Sequence, residues 1–201
     1  MSSYTTVRSA YIKISYCAVF GALAALISIL KFEIPMPILF WLKFDFAEIP
    51  DMIAYLLGGF EVGIITTFIH MLLLNISATH PIIGPMAKFS AVISMMIGIS
   101  ILRRIKSNPG LISSITTAMV FRVVIMTFVN IIIFYVFLPG VLLAMPKILE
   151  PFFGNLGSVE AALLVALALT GVYNAIHTGL TLSLAYNLYE AASKYLKLPK
   201  I

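Results

Sequence analysis

The stretch "WLKFDFAEIPDMIAYLLGGF", Trp41 to Phe60, joins a charged approach to an apolar run. Four charged residues stand within its first eleven positions: Lys43, Asp45, Glu48 and Asp51. Pro50 is compatible with the first turn of a helix, where no backbone N–H bond is lost. Carboxylates near that helix N-terminus are stabilised by the helix dipole. The stretch therefore predicts the start of an apolar helix, with Glu48 and Asp51 as solvated charges that cap it.

The composition of the whole chain indicates a membrane protein. Of its 201 residues, 61% are hydrophobic and only 10% are charged, and the mean hydropathy is +1.07. Soluble proteins carry about 25% charged residues, so this much apolar surface favours the bilayer as solvent. The net charge of +5 is spread thinly over segment ends, which does not favour a nucleic-acid partner. We expect an all-α, multi-pass protein of the cell membrane.

Apolar runs divided by polar, Pro-containing or Gly-containing stretches predict six membrane-spanning helices. The spans lie at roughly 12–30, 47–60, 61–77, 86–102, 111–137 and 172–192. They form one membrane domain, 12–192, between an N-terminal tail, 1–11, and a C-terminal tail, 193–201.

Three further segments are predicted to connect the spans. Polar residues and prolines predict loops at 31–46 and 139–157. The apolar run 158–170 is short for a span, which favours a re-entrant or surface helix that Gly171 separates from the last span.

Basic residues gather on one predicted side of the membrane. They are Arg8 and Lys13 before the first span, Arg103, Arg104 and Lys106 after the fourth, and Lys194, Lys197 and Lys200 after the sixth. Because cytoplasmic loops carry an excess of Lys and Arg, both termini are predicted to be cytoplasmic.

The sequence carries none of the motifs that would favour an enzyme. It has no G-x-x-x-x-G-K-[ST], H-E-x-x-H or G-x-S-x-G, so neither P-loop ATP binding nor those hydrolytic mechanisms are indicated. Cys17 is the single cysteine, and the three histidines are far apart, so neither a metal site nor a cofactor is expected. A polytopic enzyme would need a polar catalytic group close to a base, which no motif supplies. A binding or transport role is favoured.

Polar side chains inside the predicted spans are candidates for a ligand site, because a polar group in lipid is costly without a partner. The outer half of the bundle collects Asp45, Lys88, Asn130, Asn174 and His177, with Trp41, Phe44, Phe46 and Tyr173 nearby. Such a set suits a small molecule with a flat ring and several hydroxyl or amide groups. Interhelical hydrogen bonding is the alternative. Arg122, in the middle of the fifth span, is predicted to be a structural charge bonded to helix carbonyls.

The first span carries small residues on two neighbouring faces. Ala18 and Ala22 lie four positions apart, and Gly21 and Ala25 lie one step round the helix. Faces with a small-x-x-x-small pattern allow another helix to approach closely. They predict either packing within the chain or docking of a separate membrane subunit.

Four segments carry a family resemblance. They are "LKFDFAEIP" for K-x-D-F-S-D-I-P, "IIGPM" for a Gly-Pro before the fourth helix, "RVVIMTFVN" for R-x-x-x-M-T-x-x-N, and "YNAIHTG" for F-N-x-x-K-G. With them, residues 12 to 192 resemble the substrate-binding S components of energy-coupling factor (ECF) vitamin transporters, most of all the riboflavin-specific branch. The chain departs from that branch at His177, where the branch has Lys, and at Lys88, where it has Glu.

The resemblance implies a six-helix fold with a vitamin pocket at its outer end. The residues that it assigns to riboflavin, or to a close relative, are Phe44, Asp45, Phe46, Gly84, Asn130, Tyr173, Asn174 and His177. It also implies that Ala18 and Ala22 face a transmembrane coupling subunit, which two cytoplasmic ATPases drive. Two alternatives stay open: an S component for another small vitamin, and a membrane binding or assembly protein without transport.

Overall fold

The computed structural model describes residues 2–78 and 80–196, with side chains from Ser9 to Tyr195. Its helices are α1 (Ser2–Ile29), α2 (Glu48–Leu74), α3 (Ile83–Ile105), α4 (Leu111–Ile132), α5 (Pro139–Phe153) and α6 (Val159–Leu196). Two three-residue strands, β1 (Glu33–Pro35) and β2 (Lys43–Asp45), pair antiparallel. A π-helical turn, Ile133–Phe137, extends α4. Within these residues five helical stretches are long and apolar enough to cross a membrane, as expected of a multi-pass membrane protein.

Helix α2 folds back on itself at Gly59, whose backbone angles are φ 82° and ψ −172°. This left-handed conformation is one that glycine adopts without steric cost. Asp51 Oδ2 lies 2.8 Å from His70 Nδ1 although 19 positions separate them, whereas a straight helix would place them about 28 Å apart. The first arm (48–58) and the second arm (60–74) therefore run antiparallel. They correspond to the second and third predicted spans, so the predicted six passes are confirmed.

Contacts between neighbouring helices establish the direction of each pass. Lys13 Nζ lies 3.3 Å from Glu61 Oε2, and Ser28 Oγ lies 2.9 Å from His70 Nε2, so α1 and the second arm of α2 are parallel. Tyr55 on the first arm bonds Ser100 on α3 at 3.0 Å. Helix α4 then returns alongside α3, and α6 descends beside α4. The chain thus crosses the bundle in alternating directions.

The two ends of the bundle differ in charge. Lys13, Arg103, Arg104 and Lys194 lie at the end where α1 begins and α3 and α6 finish, which we call the basic end. The opposite end carries β1 and β2, and we call it the strand end. Lys197, Lys200 and the side chain of Arg8 lie outside the described residues. The described members of the three predicted basic clusters are together at one end, as the predicted orientation requires.

The predicted loop 139–157 is wrong over most of its length, because residues 139–153 form helix α5. Leu142, Met145 and Leu149 are buried at helical spacing against Ala162 and Ala166 of α6. Pro146 and Pro151 each remove a backbone N–H donor from this helix. The buried apolar stripe holds the helix together in spite of them.

The predicted division of the last apolar region is also wrong. Helix α6 runs unbroken for 38 residues through Gly171. At 1.5 Å per residue it is about 57 Å long, well beyond a hydrocarbon core of about 30 Å. Its first turns therefore extend past the bundle at the strand end, where α5 packs on them. Helix α1 likewise reaches back to Ser2, into the region predicted as a tail.

Candidate functional site

The helices leave a cavity of about 570 Å³ at the strand end. Ligand pockets commonly measure about 300–1,000 Å³, so a small organic molecule fits. The polar lining includes Ser28, Lys43, Asp45, Glu48, Lys88, Arg122, Asn130, Thr170, Tyr173 and Asn174. Apolar side chains from α1, α3, α4 and α5 complete the wall, together with Phe40 and Trp41 from the loop between the strands.

A buried ion pair forms the floor of this cavity. Arg122 and Glu48 are 1% and 2% exposed. The guanidinium of Arg122 donates two hydrogen bonds to the carboxylate of Glu48, from Nη1 to Oε2 at 2.5 Å and from Nη2 to Oε1 at 3.0 Å. Such a bidentate pair is among the strongest arrangements of these groups. Two charges can stay buried here because each neutralises the other.

Two sequence interpretations change with this ion pair. Glu48 and Asp51 are buried, so their interpretation as solvated capping charges is wrong. Arg122 is a buried charge, but it bonds the side chains of Glu48 and Asn174, whereas helix carbonyls had been predicted as its partners. The chain positions of Arg122 and Glu48 lie 74 apart, which no local pattern connects.

His177 joins α6 to strand β2 behind the cavity wall. Its Nε2 lies 3.0 Å from the Asp45 carbonyl oxygen, so Nε2–H must donate. Its Nδ1 lies 3.2 Å from Arg122 Nη2, which can only donate to it. Both ring nitrogens are satisfied by a neutral imidazole, and the ring is 1% exposed. His177 therefore contacts two residues of the cavity wall, Asp45 and Arg122, from behind.

A second ion pair closes the side of the cavity. Lys88 Nζ on α3 lies 2.7 Å from Asp45 Oδ2 on β2. The other carboxylate oxygen of Asp45 accepts from the Ala47 N–H at 3.0 Å. Lys43 pairs with Glu33 across the two strands. Four lysine and arginine side chains line the cavity, and three of them, Lys43, Lys88 and Arg122, are each paired with a carboxylate.

Two asparagines in the wall keep unused hydrogen-bonding capacity. Asn130 Nδ2 donates to the Met126 carbonyl at 2.6 Å, which leaves its amide oxygen for a ligand. Asn174 Oδ1 accepts from Arg122 Nε at 3.0 Å, which leaves its amide nitrogen for a ligand. One residue therefore offers an acceptor and the other a donor.

The aromatic candidates occupy three different positions. Tyr173 lines the cavity, and its hydroxyl donates to the Lys43 carbonyl at 2.7 Å. Phe44 packs on Tyr173 with ring centroids 4.8 Å apart and stands 5.8 Å from His177. Phe46 is 44% exposed on the outside of the strand end. Of the predicted site residues, the structure gathers in the cavity wall Asp45, Gly84, Asn130, Tyr173 and Asn174.

Sequence reasoning missed one polar chain that reaches the cavity. His70 bridges Asp51 on the first arm of α2 and Ser28 on α1. Ser28 Oγ also lies 3.3 Å from Lys88 Nζ. These residues belong to three separate helices with no common spacing, so nothing in the sequence joins them. Within residues 2–78 and 80–196, no three His, Cys, Asp or Glu side chains come together in a way that would hold a metal ion.

The small residues of α1 divide between two environments. A Cβ added to Gly21 would lie 2.9 Å from Ile69 Cγ2, so this face packs closely on the second arm of α2. Ala25 is buried on the same face, whereas Ala18 and Ala22 are exposed on the surface of the bundle. Packing within the chain thus uses Gly21 and Ala25, whereas Ala18 and Ala22 remain on the surface.

Comparison with known proteins bears on the fold. No protein-family model and no curated protein sequence match the chain. One solved structure, described as the S component of a bacterial ECF transporter, superposes with a TM-score of 0.67 at 20% identity. The match covers 93% of this chain and 98% of that one. The chain has the fold of an ECF-transporter S component. The S-component fold expected from the sequence is thereby confirmed, while the riboflavin specificity stays a prediction.

Proposed function

We propose that this chain is the substrate-binding S component of an ECF-type transporter, and that it binds riboflavin or a close neutral relative from outside the cell. The observation that carries the proposal is the cavity at the strand end of an S-component fold. The protein binds its ligand without converting it, and the energy for uptake comes from other subunits.

The chemistry of the wall supports a neutral ligand. Lys43, Lys88 and Arg122 are already paired with carboxylates. A phosphate would have to compete with those carboxylates for three of the four lysine and arginine cations that line the cavity. At the buried Arg122, an exchange of one partner for another returns little free energy. A ligand with hydroxyl and amide groups can instead use the free atoms of Asn130 and Asn174.

The aromatic residues near the cavity support a ligand with a flat ring. Tyr173 is held by its bond to the Lys43 carbonyl, and Phe44 packs behind it. Phe40 and Trp41 contact each other edge to face at 5.1 Å in the loop that covers the site. Rings fixed in this way offer apolar area for stacking at low entropic cost.

The exposed face of Ala18 and Ala22 supports docking on a transmembrane coupling subunit, because small residues let another helix approach closely. Two cytoplasmic ATPases would drive that subunit. The sequence has no P-loop of its own, which is consistent with energy supplied by partners.

Titration of riboflavin into the purified protein tests the ligand assignment. We expect saturable quenching of flavin fluorescence and a matching heat by calorimetry, with weaker binding of phosphorylated flavins. If riboflavin gives neither signal at micromolar concentration, the flavin assignment fails. Mass spectrometry of the small molecule that co-purifies then identifies which other vitamin the cavity holds. A protein that binds its ligand but supports no uptake with any coupling subunit would instead be a binding or assembly protein.

A further inference from the structure

A serine that opens onto the cavity is backed by two buried side chains in line. Ser28 Oγ lies 2.9 Å from His70 Nε2, and His70 Nδ1 lies 2.8 Å from Asp51 Oδ2. Asp51 and His70 are 0% and 1% exposed, whereas Ser28 lines the cavity. The three residues are thus arranged as a nucleophile, a base and a group that orients the base.

With Asp51 ionised, the direction of each hydrogen bond along the chain follows from the charges at its two ends. The ammonium of Lys88 can only donate, and it lies 3.3 Å from Ser28 Oγ. At the other end of the chain an ionised Asp51 carboxylate can only accept, so His70 Nδ1–H donates to it. This leaves His70 Nε2 as a lone pair that accepts the Ser28 hydroxyl proton. With Asp51 ionised, His70 is therefore in the tautomer that a general base requires.

We propose that Ser28 is an activated nucleophile, and that it is the site of covalent modification by an electrophile small enough to enter the cavity. The electrophile is an activated ester or a phosphonyl fluoride. Ser28 Oγ forms a bond to the carbonyl carbon or to phosphorus while its proton passes to His70 Nε2. From the ester an alkoxide leaves, which takes the proton from His70 and departs as an alcohol. From the phosphonyl fluoride a fluoride ion leaves, and His70 gives its proton to water.

Two further groups favour this step. Asp51 is a positioning residue, because its carboxylate stabilises the imidazolium that forms when His70 accepts the proton. Lys88 Nζ, which lies 3.3 Å from Ser28 Oγ and is also paired with Asp45, is a hydrogen-bond donor next to the point of attack. The proposal uses only the geometry of this chain and is independent of which vitamin the protein binds.

A fluorophosphonate probe tests the proposal on the full-length purified protein. We expect one adduct by intact mass and, by peptide mapping, its location on Ser28. Ser28→Ala should abolish the adduct. Asp51→Asn and His70→Gln should lower the labelling rate at least tenfold. Ser90→Ala is the matched control, because Ser90 is an exposed serine of α3 whose hydroxyl bonds only the Met86 carbonyl among the described contacts.

Several outcomes would overturn the proposal. They are no adduct on the folded wild-type protein, an adduct on another serine, or an unchanged rate in Asp51→Asn. If the buried variants unfold, labelling of the wild-type protein still tests the proposal. His80→Gln is the control for the loss of a histidine that lines the cavity without touching Ser28. Failure to bind riboflavin would leave this result unaffected, because the probe reports on the serine alone.

Discussion

The two halves of the bundle are built from the same helices, but one half is packed with apolar side chains and the other encloses a cavity. Toward the basic end, the space between α2, α3, α4 and α6 is occupied by apolar side chains such as Met96, Ile99 and Leu182, all fully buried. Toward the strand end, the same helices diverge around a cavity of about 570 Å³ with a polar wall. The Arg122–Glu48 pair lies between the two regions.

This difference separates the groups that hold the fold from the groups that meet a ligand. Apolar packing in the basic half stabilises the bundle through close contact. In the strand half the polar groups bond mainly to one another, so most of the polar wall is formed without a ligand. Substitutions in one half should therefore change the free energy of unfolding, and those in the other half should change affinity.

The largest effect is expected where the two regions meet. Arg122→Met leaves the Glu48 carboxylate buried without its cation, which typically costs about 3–5 kcal/mol. We expect a strongly lowered thermal unfolding temperature in detergent. The double variant Arg122→Met, Glu48→Met removes both charges and should regain much of the loss. A single variant that melts like the wild type would contradict the pairing.

A core substitution in the basic half should lower stability without changing affinity. Ile99→Ala removes a fully buried side chain, and such truncations cost about 2–5 kcal/mol. Ile101→Ala is the matched control, since Ile101 is 39% exposed on the same helix. Thermal unfolding and ligand titration together test the separation. A loss of affinity in Ile99→Ala that exceeds its loss of stability would argue that the two halves are coupled.

A substitution in the cavity wall should have the reverse signature. Asn130→Ala and Asn174→Ala each remove one partner of a buried ligand group, at about 1–3 kcal/mol. Riboflavin affinity should fall roughly ten- to a hundredfold. Calorimetric titration measures this effect. Asn187→Ala is the control, because Asn187 likewise bonds a carbonyl four residues earlier but lies exposed near the basic end. Equal affinities in all three variants would show that Asn130 and Asn174 do not contact the ligand.

The smallest effect on binding is expected on the exposed face of α1. Ala18→Trp and Ala22→Trp should leave melting temperature and riboflavin affinity unchanged, because neither residue touches the core or the main cavity. Uptake in cells that supply the coupling subunit and ATPases should be lost. Val120→Trp, on the exposed side of α4, should retain uptake. If ligand binding were lost together with uptake, this face would be needed for packing within the chain and not for docking.

The lengths of the apolar runs and the glycine and proline residues between them predicted most of the passes. The Gly58-Gly59 pair marked the turn of α2, and apolar runs located α1, α3 and α4. Helix α5 was missed because Pro146 and Pro151 suggest a loop, whereas burial of its apolar stripe on α6 decides the structure. Gly171 misled for the same reason, since packing beside Val123 keeps the helix continuous.

The site was harder to predict than the fold. Asn130 and Asn174 were proposed because polar residues inside apolar spans are conspicuous, and Asp45 was proposed from the charged approach to α2. All three line the cavity. The partners of Arg122 and of His70 could not be found, because hydrogen bonds between distant helices leave no spacing in the sequence. Glu48 and Asp51 were misjudged for that reason: beside a helix start they resemble capping groups, and only the tertiary structure supplies their cationic or imidazole partners.

The fold-back of α2 also has a consequence for how the chain enters the bilayer during synthesis. Its arms of about 16 Å and 22 Å, at 1.5 Å per residue, are each shorter than a hydrocarbon core of about 30 Å. Neither arm alone is long enough to span the bilayer and halt translocation of the chain. The two arms must partition together, with Gly59 leading, and the Asp51–His70 contact can form only once both have arrived. We therefore expect these two passes to be inserted as a single unit during biogenesis.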